Sequence, residues 1–211
     1  GLLDVLSPWD IPAELRDRDL QLFEQEKQLL RDSPLSEPAM VRWLSEELKE
    51  NTTVYVGNSL PIREWDLAAQ KQSPLHVKAN RGANGIDGQI ATALGYRRED
   101  RDLCVLVGDL TAMYDSNALW FLLNQKFSSA AYICVMKNRG GKIFQRMFNH
   151  SLFYNQHALN FRAWAESWNC SYTLATKPMD LPGKTSVIEI VPDLEQTDLF
   201  WKKMDAIWAD V

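Results

Sequence analysis

The sequence predicts an α/β fold: a six-stranded, mostly parallel sheet with helices on both faces, preceded by a helical linker. Short apolar runs alternate with longer amphipathic or charged stretches, which is the pattern of successive strand–helix–strand units. Two of the runs, Leu103 to Val107 and Ala131 to Met136, are apolar throughout, as strands covered on both faces are. Four runs end in turns rich in Gly, Asn or Asp: Gly57-Asn58-Ser59, Asn80-Arg81-Gly82, Gly108-Asp109 and Asn138-Arg139-Gly140-Gly141. Such residues turn the chain at the end of a strand and lead it into the next element.

Gly1 to Ala13 is an irregular, Pro-containing lead. Glu14 to Arg31 is charge-rich, with Leu20, Phe23, Lys27 and Leu30 near helical spacing, so it reads as a surface helix. Asp32-Ser33-Pro34-Leu35-Ser36 breaks it. A second helix runs from about Pro38 to Lys49, with Ser36 as N-cap and Met40, Val41, Leu44 and Leu48 on one face. Strands are expected at Thr53–Val56, His76–Ala79, Leu103–Val107, Ala131–Met136, Ser171–Leu174 and Ser186–Val191. Helices are expected at Arg63–Lys71, Ile86–Gly95, Ala112–Lys126, Ala158–Trp168 and Gln196–Ala209. The polar–aromatic stretch from Gln145 to Gln156 is long for a βα connection and reads as a mobile loop near the site. Residues 1–37 are thus a linker with a surface helix, and residues 38–211 one binding domain.

Composition narrows the function. A net charge of −5, with no dense Lys/Arg run, argues against nucleic-acid binding. The apolar runs fall far short of the roughly 20 residues of a membrane span, and the start has neither the basic region nor the apolar core of a signal peptide. Cys104 and Cys134 fall in expected buried strands and Cys170 lies apart, as in a reduced, cytoplasmic protein. No Cys or His pair has zinc spacing, and His76, His150 and His157 are dispersed, which favours structural roles. Trp164 and Trp168, and Trp201 and Trp208, have helical spacing within each pair, the mark of core or subunit interface.

The chemistry centres on Asp109 and Asn138. A strand–helix–strand crossover between them makes their strands parallel neighbours, so both residues stand at the carboxyl ends, where open α/β sheets bind ligands. A carboxylate, an amide and the backbone carbonyls of a Gly-rich turn are hard oxygen donors, and Mg²⁺ takes about six such oxygens. Read blandly, Gly108-Asp109 is an ordinary strand-to-helix turn with Asp109 as N-cap, and Asn138-Arg139-Gly140-Gly141 an ordinary loop. Gly82, Gly85 and Gly88 do not have the spacing of a dinucleotide fingerprint, and Gly141-Lys142-Ile143 does not complete a Walker motif.

Jointly, these segments resemble the metal–diphosphate motif of thiamine-diphosphate enzymes: Gly-Asp, a helix-length spacer, then Asn. Leu110 stands where most of that family has a second Gly. With Gly57-Asn58-Ser59-Leu60-Pro61-Ile62-Arg63 and Asn80-Arg81-Gly82-Ala83-Asn84-Gly85-Ile86-Asp87-Gly88, it directs the resemblance to the pyrophosphate-binding domain of the MenD branch. The resemblance implies the thiamine-diphosphate-binding fold and Mg²⁺ or Mn²⁺ held by Asp109, Asn138 and the Gly140 carbonyl. It implies cofactor contacts from Asn58, Ser59, Gly85, Ile86, Gly108, Leu110, Thr111 and Ile143, with Ile143 as the apolar wedge behind a bent thiamine. Core packing alone would also account for Ile86 and Ile143. It implies a decarboxylating, carbon–carbon-bond-forming transferase of menaquinone biosynthesis acting on 2-oxoglutarate and isochorismate. Arg63, Arg81 and Phe144 are the substrate-side candidates, although an Arg on a helix is more often a solvated residue. The glutamate that activates the cofactor ring is expected on the pyrimidine-binding domain of another subunit, in a homodimer or homotetramer. No second α/β domain fits in 211 residues and there is no initiator Met, so a C-terminal part of a longer enzyme, inactive alone, is expected. Another thiamine-diphosphate decarboxylase or synthase, or a non-catalytic α/β binding module, are the alternatives.

Overall fold

The computed structural model describes residues 12–70, 73–124, 126–145, 148 and 150–209. The expected lead segment therefore lies almost wholly outside the described residues. The elements run α1 (Ala13–Asp32), α2 (Glu37–Glu47), β1 (Thr53–Val56), α3 (Leu60–Ala68), β2 (His76–Lys78), α4 (Gln89–Leu94) and β3 (Leu103–Gly108). Then come α5 (Asp109–Tyr114), α6 (Trp120–Asn124), β4 (Ala131–Met136), α7 (Arg162–Ser167), β5 (Ser171–Ala175), β6 (Ser186–Ile190) and α8 (Leu194–Ala209). The six strands form one sheet in the order β2-β1-β3-β4-β6-β5, and every adjacent pair is parallel.

Alternation along the strands divides the core between two faces. Val54, Val56, Cys104, Leu106, Cys134, Met136 and Ile188 point to the face covered by Met40, Val41 and Leu44 of α2 and Trp65 of α3. Tyr55, Leu103, Val105, Val107, Ile133, Val135 and Val187 point to the other, against Ile90 and Leu94 of α4, Leu119, Phe161 and Ala165. A third cluster joins Leu29 and Leu30 of α1 to Phe200 and Met204 of α8. Burying each such side chain contributes about 1.5–3 kcal/mol, so this layering, rather than helix propensity, holds the short helices in place. The facing Cys104 and Cys134 remain unbonded thiols, their sulfurs 3.9 Å apart. Trp164 packs against the second cluster and donates to the Ser116 carbonyl (2.7 Å), whereas Trp208 is 44% exposed.

Ser36 caps α2 as expected, accepting from the Ala39 amide. Other boundaries differ from expectation for local reasons. The single helix expected over residues 112–126 is broken into α5, a 3-10 turn (Ser116–Leu119) and α6. The break falls at Asp115, whose carboxylate reaches across to accept from the Ala91 amide of α4 (2.7 Å). Helix α4 starts three residues late because Gly88 is left-handed (φ +68°). Helix α7 is shorter than expected at its start, where the Phe161 amide donates to Glu189 instead. Full cover of the sheet also fails at one edge: all three residues of β2 are exposed.

Candidate functional site

The strand order places the topological switch between β1 and β3: the chain leaves β1 for one edge, then returns to build the other half of the sheet. Open parallel sheets bind ligands at such a point, beyond the carboxyl ends. The turns after β1, β3 and β4 meet there. Pairing carries Val56 beside Leu106 and Gly108 beside Met136, so Asn58, Asp109 and Asn138 leave the sheet on one rim.

The β1 turn is held tightly. The Gly57 amide donates to the Leu106 carbonyl (2.8 Å), and a Cβ on Gly57 would stand 2.9 Å from Val107 Cγ1. Gln89 binds two turns at once: its Oε1 accepts from the Asn58 amide (2.9 Å), and its Nε2 donates to the Gly85 carbonyl. Asn58 Nδ2 donates to the same carbonyl (2.9 Å), while Asn58 Oδ1 accepts from Arg81 (3.2 Å). The Gly85 oxygen is thus engaged within the protein, and Ile86 is the member of that turn that lines the cleft. Ser59 begins α3 at φ +78° with no side-chain cap, and Arg139 lies at φ +68°. Left-handed conformations in non-Gly residues cost about 1–3 kcal/mol and cluster at ligand clamps.

Asp109 is 1% exposed and sits at the first position of α5 rather than at its N-cap. Its Oδ1 accepts from the Leu110 amide (2.8 Å); its Oδ2 accepts from the Arg139 (2.8 Å) and Gly140 (3.1 Å) amides. The carboxylate therefore ties the β3 turn to the β4 turn. His157 Nε2 lies 3.1 Å from Oδ2, outside hydrogen-bond direction, and both ring nitrogens are buried without a hydrogen bond. Burial pushes the Asp109 pKa up, against the opposing pull of His157 and the three amides. Asn138 is 5% exposed, and its Nδ2 donates to both oxygens of Glu37, at 2.9 and 3.1 Å. Its Oδ1 is buried with no hydrogen-bond partner.

That orphaned oxygen is the test of whether a cation fits. A buried acceptor left unpaired costs about 1–3 kcal/mol, and a cation would satisfy it. An ionised carboxylate has about four lone-pair sites, and three amides leave Asp109 one to offer. Among the described residues no cluster of three His, Cys, Asp or Glu could hold a metal. A cation here would therefore rely on Asp109, the Asn138 amide and backbone carbonyls, completed by water or phosphate, as suits Mg²⁺. The donor set fits.

A cleft of about 170 Å³ opens over these atoms, lined by Ser59, Ile86, Gly108, Asp109, Leu110, Thr111, Asn138, Gly140, Ile143 and Phe144, among others. Most of the candidate residues are thus brought together. Asn58 and Gly85 stand behind the wall in the Gln89 network. Arg63 and Arg81 do not line the cleft; both are exposed, Arg63 donating to the Ser59 carbonyl (2.6 Å) and Arg81 to Asn58. Sequence reasoning missed Glu37, Gln89 and His157, whose roles arise from contacts 31 to 101 residues apart or across a loop.

Gly140 makes a sharp local test. It adopts φ +137°, and a Cβ there would overlap the Tyr154 carbonyl oxygen. Gly140→Ala should cost about 1–3 kcal/mol in a urea melt through backbone strain alone. A variant with unchanged stability would show that the turn is free to move.

No protein-family model matches the chain. Curated relatives do. A protein of Bdellovibrio bacteriovorus is 43% identical over 220 aligned positions, covering 99% of this chain and 41% of the relative. A relative from Akkermansia muciniphila is 39% identical over 188 positions (82% of this chain, 35% of the relative). One from Chloroflexus aurantiacus is 38% identical over 157 (70% and 26%). All three bear the name 2-succinyl-5-enolpyruvyl-6-hydroxy-3-cyclohexene-1-carboxylate synthase. The chain belongs to this synthase family, the MenD family. It spans about two fifths of the length of the Bdellovibrio bacteriovorus relative and less of the other two. Among the described residues no helix is long and apolar enough to cross a membrane.

Proposed function

We propose that this chain is the diphosphate- and metal-binding part of a thiamine-diphosphate-dependent synthase of menaquinone biosynthesis. The enzyme decarboxylates 2-oxoglutarate and joins the remaining fragment to isochorismate, in the cytoplasm. The observation that carries the reading is the buried, unpartnered Oδ1 of Asn138, which lines the same cleft as Asp109 at the carboxyl ends of the strands. Asp109, Asn138 and the Gly140 carbonyl hold Mg²⁺ or Mn²⁺ against the diphosphate. Amides at the starts of α3 and α5 donate to the phosphate oxygens, at the positive ends of those helices. Ile143 and Ile86 give the cleft an apolar flank for the thiamine. When bound, thiamine diphosphate supplies the electron sink for decarboxylation and carbon–carbon bond formation.

Ligand sites commonly enclose about 300–1,000 Å³, so the cleft of about 170 Å³ accommodates only part of such a cofactor. This supports a second wall from the pyrimidine-binding domain of another subunit in a homodimer or homotetramer, and an isolated chain without turnover. Phe144 lines the cleft and is half-exposed, while Arg63 on α3 and Arg81 lie outside it, bonded to Ser59 and Asn58 of the β1 turn, as basic candidates for two dianionic substrates. The test is calorimetric titration of thiamine diphosphate into the full-length protein, with millimolar Mg²⁺ and again with chelator. Binding that requires the metal is expected. Equal binding in chelator would remove the assignment of Asp109 and Asn138.

A further inference from the structure

The sheet's rim holds a second acidic feature that the proposed reaction does not use. Glu37, the first residue of α2, is 1% exposed, and Glu64, in the middle of α3, is 0% exposed. Two neighbouring carboxylates have no donor between them, and both Glu64 oxygens lack a partner as ionised acceptors. Burial, reinforced by the charge of Glu37, pushes the Glu64 pKa well above the usual carboxylate range. Burial also raises Glu37, to about 7, against its hydrogen bonds from Asn138 and with the Asp109 charge adding to the rise, while the nearby Lys142 opposes it.

We propose that Glu37, backed by Glu64, is a positioning residue that holds the Asn138 amide with Oδ1 facing the cation; this rests on the metal–diphosphate reading above. An Asn amide is nearly symmetric in shape, so packing alone does not decide which end faces a ligand. Here both Nδ2 bonds go to the Glu37 carboxylate. A flipped amide would turn its oxygen on that carboxylate and its N–H donors on the cation, unfavourable at both ends. Glu37 itself is fixed from behind: its backbone amide donates to Thr197 Oγ1 of α8 (3.0 Å), and Ser36 caps its helix. Buried acidic pairs are costly, and apolar side chains often replace them without loss of stability. Structural need alone does not account for this pair, whereas orienting a ligand for a cation does. Partners of this kind behind metal ligands typically change metal affinity about 10–100-fold.

The test reads Mn²⁺ affinity by electron paramagnetic resonance in the full-length protein with thiamine diphosphate, alongside the unfolding midpoint. Glu37→Leu should weaken Mn²⁺ at least about tenfold. Glu37→Gln, whose amide oxygen still accepts from Asn138, should stay within about threefold. The double variant Glu37→Leu with Glu64→Leu removes both buried acids, so it should remain folded and show the same loss of Mn²⁺. Both Leu variants binding Mn²⁺ like the parent, while Asp109→Asn does not, would overturn the positioning role alone. An Asp109→Asn protein that binds Mn²⁺ like the parent would instead remove the metal reading, and this inference with it.

Discussion

Asp109→Asn is expected to weaken Mg²⁺-dependent binding of thiamine diphosphate by more than about 100-fold, because loss of a ligand should exceed the 10–100-fold typical of its supporting partners. The same change tests the competing role of the carboxylate. Asp109 takes three backbone amides on two oxygens. An Asn keeps one acceptor. If its oxygen stays on the Arg139 and Gly140 amides, its NH₂ faces the Leu110 amide and leaves that donor unpaired. One buried unpaired donor costs about 1–3 kcal/mol, a fraction of a typical stability of about 5–15 kcal/mol. The variant should therefore fold, with a lowered urea midpoint, and fail to bind. Loss of the fold would mean that the carboxylate acts chiefly as the clasp between the β3 and β4 turns. Intact, metal-dependent binding would mean that the cation lies elsewhere.

The sheet was legible because its central strands β1, β3, β4 and β6 are buried on both faces. β1 and β4 have the expected boundaries, and β3, β5 and β6 differ by one residue. Asp109 and Asn138 were legible because strand-end turns are written in local order. What local order does not contain is where a side chain goes across the sheet. Glu37, just after an N-cap Ser, reads as an acidic residue favoured at a solvated helix start, yet it is buried against Asn138, 101 positions away. Gln89 reads as an ordinary helix residue and instead fastens two turns. Asp115 lies inside a continuous helical pattern, and only its bond to Ala91 shows why the helix ends there. His157 reads as one of three dispersed histidines, because its nearness to Asp109 depends on the path of a loop.

Glu189 is the residue whose loss should cost the most stability. It lies on β6, 1% exposed, and its carboxylate joins three elements. Oε1 accepts from Lys137 Nζ (2.7 Å), and Oε2 accepts from the Phe161 amide (2.8 Å) and the Tyr172 hydroxyl (2.9 Å). Glu189→Ala would leave Lys137, whose side chain is only 15% exposed, without its counter-charge and two further donors without an acceptor. Breaking a buried pair from one side costs about 3–5 kcal/mol, which urea denaturation at pH 7 would measure. Glu189→Gln should lose less, since its amide oxygen can still accept. Burial raises the Glu189 pKa, but Lys137, the Phe161 amide and Tyr172 outweigh it and hold the folded value below the ordinary one. Stability from this carboxylate is then fully present above the unfolded pKa and is lost as pH falls through the folded one. The gap between the parent and Glu189→Ala should stay constant from neutral pH down to about pH 5 and narrow below it, since an unperturbed Glu titrates near about 4.3. A gap that stayed constant into strong acid would show that lost packing, rather than the lost charge, sets the cost. Lys137 directly precedes Asn138, so a loosened Lys137 should also be felt at the cleft, as weaker binding of thiamine diphosphate in the Ala variant than in the Gln variant.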